Sequence, residues 1–207
     1  MTLRPVLLDV LEESRRLGFF GPGEIEHQVL HARGFVQIAT REPVGTWLDL
    51  GSGGGLPGLV LIDELPLANA TLLDAMEKRT VFLSAAVCAL GVEDRCSVVR
   101  ARAEEFVRTK GRAESCDLVV ARSFGPPAMT AECAAAFLRI GGRLLISEPP
   151  ESTGERWNGL THSSLGLTVE SLERLDVGSF VVIRKTATTP GAYPRRGAPL
   201  SKRPLFT

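Results

Sequence analysis

The run LDLGSGGGLPG at residues 48–58 limits the fold more than any other part of the chain. An apolar, strand-like segment, TWLDL (46–50), passes straight into a turn with glycines at 51, 53 and 55, and LPGLVLIDEL (56–65) reads as the helix that follows. Glycine carries no β-carbon, so a ligand can lie against the main chain of such a turn, and the start of the helix offers unpaired N–H groups. A strand handed directly to a helix is also the first half of a crossover unit, which requires a parallel partner strand.

The chain downstream supplies those partners. ATLLD (70–74), CSVVR (96–100), CDLVVA (116–121) and RLLIS (143–147) have strand character, and helical spacing of apolar residues is predicted over 77–90, 102–110 and 128–140, the last ending at Gly141-Gly142. After Pro149-Pro150, LTVESLERLD (167–176) and SFVVIRKT (179–186) are separated only by Val177-Gly178, which predicts a hairpin. Upstream, residues 3–17 place Leu3, Leu7, Val10 and Leu11 near one face; GFFGPG (18–23) interrupts, and 24–39 reads as a second helix. The expected fold is therefore α/β and Rossmann-like, a mostly parallel seven-stranded sheet with a terminal antiparallel hairpin and helices on both faces. At 207 residues without a composition shift, one domain is expected: a helical cap (1–44), the core (45–186) and a basic, proline-rich tail (187–207).

Three ligand classes compete for the glycine turn. A phosphate-binding P-loop needs Gly-Lys-Ser/Thr after the turn, and Leu56-Pro57 stand there instead. A dinucleotide fingerprint counted from Gly51 places its third glycine at Leu56; counted from Gly53, glycines 53, 55 and 58 fit, in a register that starts later in the turn and stays open. Glycines alternating from Gly51, with Asp49 two residues ahead, match the pattern of Rossmann-like S-adenosylmethionine-dependent methyltransferases. Asp74, at the tip of the second strand, suits the two ribose hydroxyls of an adenosyl group, because a carboxylate there accepts hydrogen bonds from both.

Beyond the turn, the sequence resembles the small-subunit ribosomal RNA methyltransferase G family, also called glucose-inhibited division protein B. The runs that carry the resemblance are LDLGSGGGLPGLVL (48–61), TLLDAMEKRTVFL (71–83), ARAEEF (101–106), DLVVARSF (117–124), GGRLL (141–145) and AYPRRGAPLSKRPL (192–205). The resemblance implies transfer of a methyl group from S-adenosylmethionine to N7 of a guanine in small-subunit (16S) ribosomal RNA, in the cytoplasm. By it, Gly51 and Leu56 line the cofactor site with Gly53 and Gly55, Ala103 and Glu104 lie beside the adenine, and Arg122 reaches the cofactor or the substrate. Two departures from the family pattern stand out: residues 1–44 lack its aromatic-Asn…Asn-Leu-Thr stretch, so a shortened N-terminus is expected, and SEPPE (147–151) puts Glu148 where members carry Lys-Gly, an acid near the expected substrate entrance.

Guanine N7 has a free lone pair and no proton, so no catalytic base is assigned and proximity and orientation carry the reaction. Phosphate contacts are expected from Arg195, Arg196, Lys202 and Arg203, with Lys78 and Arg79, and Tyr193 is a candidate for stacking on a base. Lys+Arg (24) equals Asp+Glu (24), so bulk charge alone does not announce a nucleic-acid binder. A small-molecule methyltransferase with the N-terminal helices as a lid, and a cofactor-binding relative without turnover, are the alternatives. The four cysteines, Cys88, Cys96, Cys116 and Cys133, form no C-x-x-C pair and are expected as reduced core or near-core thiols; neither a metal site nor a membrane segment is expected.

Overall fold

The computed structural model describes residues 4–21, 23–197, 200 and 202–206. Leu3, placed on the apolar face of the first helix by its spacing, lies outside them. The elements run α1 (Pro5–Arg16), α2 (Ile25–Ala39), β1 (Thr46–Leu50), α3 (Gly58–Glu64), β2 (Asn69–Asp74), α4 (Glu77–Leu90), β3 (Cys96–Arg100), α5 (Ala103–Phe106), β4 (Cys116–Ala121), α6 (Pro127–Phe137), β5 (Leu138–Glu148), β6 (Leu167–Leu175) and β7 (Gly178–Lys185). They build one seven-stranded sheet in the order β3-β2-β1-β4-β5-β7-β6. The first five strands are parallel; β7 runs antiparallel to β5, and β6 antiparallel to β7.

Both faces of the sheet are covered, as buried parallel strands require. Alternate residues of each strand feed two apolar layers. Trp47, Leu72, Leu118 and Leu145 point into the layer formed with α1–α4, whereas Leu48, Leu73, Val119 and Leu144 join α6, Trp157, Leu160 and the C-terminal Phe206. The N-terminal helices are thus part of the core: Leu7 and Leu11 of α1 are wholly buried, and Arg143 of β5 donates to the main-chain oxygens of Ile38 and Ala39 at the end of α2. On α6, Ala131, Ala134 and Ala135 are completely buried, small side chains that let the helix lie close to the strands.

Two sequence expectations need correction. The helix predicted over 128–140 ends at Phe137, and β5 begins at Leu138 instead of Arg143. The β4–β5 register jumps from Cys116↔Leu138 to Leu118↔Arg143, so residues 139–142 bulge out of the ladder. Gly141-Gly142 marks that bulge rather than a helix stop: a β-carbon on Gly142 would lie 2.9 Å from the main-chain oxygens of both Arg139 and Cys116. The helix predicted over 102–110 is regular only over Ala103–Phe106 and continues as single turns closed by Thr109 N–H to Phe106 O and Arg112 N–H to Thr109 O. The hairpin forms with Asp176-Val177 as its loop and Leu175 paired to Gly178. The cysteines are all free, three of them buried, but Cys88 is exposed on α4.

Candidate functional site

Chain order reverses between β1 and β4: β1 leads to β2 on one side, and β4 returns on the other. In open α/β sheets this divergence opens a crevice at the carboxyl ends of the strands. Here it holds the glycine turn, the end of β2, the start of α5 and the segment after β4, which together line a cavity of about 690 Å³. Leu50, Gly51, Asp74, Ala103, Glu104 and Phe124 are among its walls. That volume lies inside the roughly 300–1,000 Å³ range of small-molecule sites.

The turn is held from below by strand backbone. Gly51 and Ser52 donate to the same acceptor, the main-chain oxygen of Leu73, at 2.9 and 3.0 Å. Gly51 has φ +75°, and a β-carbon there would sit 2.6 Å from Cδ2 of Phe124, so only glycine fits between the turn and that ring. Asp49 is buried behind the turn and accepts the Gly58 N–H with Oδ2 at 3.1 Å, fixing the start of α3. Its Oδ1 is buried with no partner, and burial pushes its carboxyl up to about 7. Gly55 turns toward the interior, where a β-carbon would lie 2.4 Å from Leu59 Cδ1; it shapes the turn by packing and not by lining the crevice.

Asp74 is buried at the floor of the cavity. Its Oδ2 accepts the Gly53 N–H at 2.9 Å, its Oδ1 accepts the Met76 N–H at 2.8 Å, and Arg79 stands 3.5 Å away. A carboxylate oxygen accepts two hydrogen bonds, so each oxygen keeps a lone pair for a ligand hydroxyl. Ala103 and Glu104 open α5 on the opposite wall, both largely buried.

Arg122 follows β4 and faces a smaller cavity of about 190 Å³, lined also by Phe20, Gln28, Gly53, Leu56 and Arg79. Its Nη2 donates to Gln28 Oε1, whereas Nη1 is buried without a partner, and burial lowers its pKa. Ser123 lies in the left-handed region at φ +57° and lines this cavity, the large one and a third cavity beside β5. Such a conformation is uncommon outside glycine and marks a place where the surroundings over-determine the backbone. Ser123, Phe124 and Gln28 escaped the sequence reading. DLVVARSF was visible as a matching run, but nothing local says that Phe124 crosses over to Gly51.

The tail residues separate by role. Arg196 lines the large cavity, and Lys202 and Arg203 are exposed. Arg195, grouped with them as a phosphate contact, is instead committed to the fold: its Nε and Nη2 reach Glu132 Oε1 and Oε2 at 2.9 and 2.7 Å, and its main-chain N–H donates to Oε1 at 2.6 Å. Tyr193 is half-buried against the apolar layer of α6. Lys78 is exposed at the start of α4.

Glu148, expected as an acid at the substrate entrance, turns inward. Its side chain is fully buried, with Oε2 accepting from Ser152 Oγ at 2.6 Å and Oε1 from Trp157 Nε1 at 3.1 Å. It ties the 149–157 segment to the end of β5, with both carboxylate oxygens engaged by that segment. Among the described residues no group of three His, Cys, Asp or Glu is placed to hold a metal, and no helix is long and apolar enough to cross a membrane.

Comparison with known proteins gives a consistent result. A family model described as rRNA small subunit methyltransferase G matches residues 23–156. The chain is 37% identical over 168 residues to a ribosomal RNA small subunit methyltransferase G of Thermotoga neapolitana, covering 78% of this chain and 72% of that one. It is 34% identical over 193 residues to the protein of the same name from Symbiobacterium thermophilum, covering 87% and 78%. Among solved structures, an O-methyltransferase from Bacillus cereus in complex with SAH superposes with a TM-score of 0.65 at 15% identity, over 90% of this chain and 93% of that one.

Proposed function

The chain belongs to the rRNA small subunit methyltransferase G family, and from that premise we propose that it methylates N7 of a guanine in small-subunit ribosomal RNA, with S-adenosylmethionine as donor. The observation that carries this reading is the crevice at the carboxyl edge of β1, β2 and β4, where the bare backbone of Gly51, the carboxylate of Asp74 and the opening of α5 face one another across a single cavity. These residues fit an adenosyl group. Asp74 accepts the ribose hydroxyls on its open lone pairs, Ala103 and Glu104 border the adenine, and Gly51 allows the chain of the donor to pass against the main chain. The buried, unpartnered Nη1 of Arg122 supplies a donor for the carboxylate end.

When bound, the donor supplies a methyl group already activated by a positively charged sulfur. What remains for the protein is placement. Guanine N7 needs no deprotonation, so the walls around Ser123 and Phe124 have to hold the base in line and exclude water. Arg196 at the rim, with Lys202 and Arg203, supplies phosphate contacts. A ribosomal RNA substrate goes with a cytoplasmic location, which belongs to the same proposal.

The test is direct. Small subunits from cells lacking this protein are incubated with it and methyl-labelled donor, and the label is mapped. Label on one guanine, released by cleavage chemistry selective for 7-methylguanine, is the expected result. Label found only in a metabolite, or absent from RNA while the donor still binds, overturns the assignment.

A further inference from the structure

The third cavity, about 280 Å³, opens at the carboxyl ends of β4 and β5 and shares Ser123 and Phe124 with the large one. It falls just below the roughly 300 Å³ at which drug-sized ligand sites begin. A purine ring system fits within that volume. Its other walls include Thr130, Glu148, Pro149, Arg156 and Trp157, the Glu148 oxygens being taken up by Ser152 and Trp157. Arg156 is the cation among them; its side chain is about 40% exposed, and its Nε lies 3.9 Å from Glu148 Oε1. Glu148 also receives Ser152 and Trp157, so one buried carboxylate holds both ends of the loop that carries Arg156.

We propose that this cavity takes the target base and that Arg156, oriented by Glu148, is the residue that distinguishes guanine from adenine. The inference rests on the guanine-directed function proposed above. Phe124 is the wall common to both cavities, so a ring stacked there lies next to the donor cavity. A guanidinium can only donate, and guanine presents an acceptor, O6, where adenine presents an N6 amino donor. Arg156 therefore favours one purine and opposes the other, while N7 stays free for the methyl. The inward-turned Glu148 acquires a purpose in this arrangement: it anchors the reading loop and tempers the cation close to a base that becomes positively charged.

The experiment compares the full-length wild type with Arg156→Ala, Arg156→Lys and Glu148→Gln on undermethylated small subunits, measuring kcat/KM, donor affinity by calorimetry and thermal stability. A hydrogen bond from a charged donor converts to about a 10- to 100-fold effect. We expect that loss in kcat/KM for Arg156→Ala, with donor Kd within about twofold and the melting temperature unchanged, and a smaller loss for Arg156→Lys. Glu148→Gln should reduce kcat/KM in the same direction, with no further loss when combined with Arg156→Ala. Wild-type kcat/KM in Arg156→Ala overturns the base-reading role even though guanine methylation by the wild type stands. Absence of guanine methylation by the wild type itself removes the underlying function instead, so the two failures are distinguishable.

Discussion

Replacing Arg195 by alanine separates a structural cation from an RNA-binding one. The carboxylate of Glu132 is fully buried in α6, and the Arg195 side chain that closes over it is 23% exposed. Truncation leaves that carboxylate with the Arg195 main-chain N–H as its remaining donor among those of this residue. Removing one member of a buried pair costs about 3–5 kcal/mol; because water can reach the vacated guanidinium position, we expect a somewhat smaller loss of about 2–4 kcal/mol. For a chain of 207 residues, roughly 2–4 °C of melting temperature per kcal/mol converts this to a fall of roughly 4–16 °C. Calorimetric or denaturant unfolding measures it, with the exposed Arg196→Ala as a control expected within about 0.5 kcal/mol of wild type. Pairing Arg195→Leu with Glu132→Leu should cost clearly less than the sum of the single changes, since the double variant buries no orphan charge. If Arg195→Ala melts with the wild type while affinity for small subunits drops, the ion pair is incidental and the residue is a phosphate contact after all.

Two further outcomes follow from the crevice. Asp74→Ala removes the acceptor of the Gly53 and Met76 N–H groups along with the ribose contact, so the Kd for S-adenosylmethionine should rise about 10- to 100-fold by calorimetry; an unchanged Kd takes Asp74 out of the site. Asp49, pushed up to about 7 by burial, favours the folded state in its neutral form. That contribution is complete below the ordinary carboxyl value of about 3.8 and is lost as pH rises through about 7. Relative to Asp49→Asn, the wild type should therefore lose about 1–3 kcal/mol of stability between pH 5 and pH 8, read from urea unfolding at each pH. The comparison cancels the opposite trend of His31, whose pKa burial lowers to about 4 in both proteins. An equal stability gap at the two pH values would mean that Asp49 is ionised throughout.

The alternation of strands and helices from Gly45 onward was legible because buried parallel strands write themselves as short apolar runs between helical periods, and the bounds of β1, β3 and β4 agree with it to the residue. What failed was local signals with two meanings. Gly141-Gly142 after an alanine-rich helix reads as a helix stop, yet the β4–β5 register makes it a bulge, because a strand pairing between distant segments overrides a local preference. The basic tail reads as one patch, yet a single buried acid, Glu132, withdraws Arg195 from it. Glu148 reads as an unfavourable charge at the mouth, yet Trp157 and Ser152 draw it inside. For Gly141-Gly142 and Arg195 the deciding partner is remote in sequence; for Glu148 it lies only four and nine residues on, where composition and spacing do not show that the chain folds back over it.

The same reasoning explains why half of the site was readable. Gly51 is conspicuous because its neighbours are glycines too, but the demand for glycine there comes from Phe124, whose ring would lie 2.6 Å from any β-carbon at 51. Phe124 reaches that place because Ser123 adopts φ +57°, turning the chain after β4 back over β1. The turn and the ring therefore specify each other, although only the turn is conspicuous in the sequence. With Ser123 on the border of these three cavities, a small change in its backbone would move a wall of each together. A reaction that depends on alignment alone needs such a shared partition, since two independently mobile walls would hold each reactant without holding their angle.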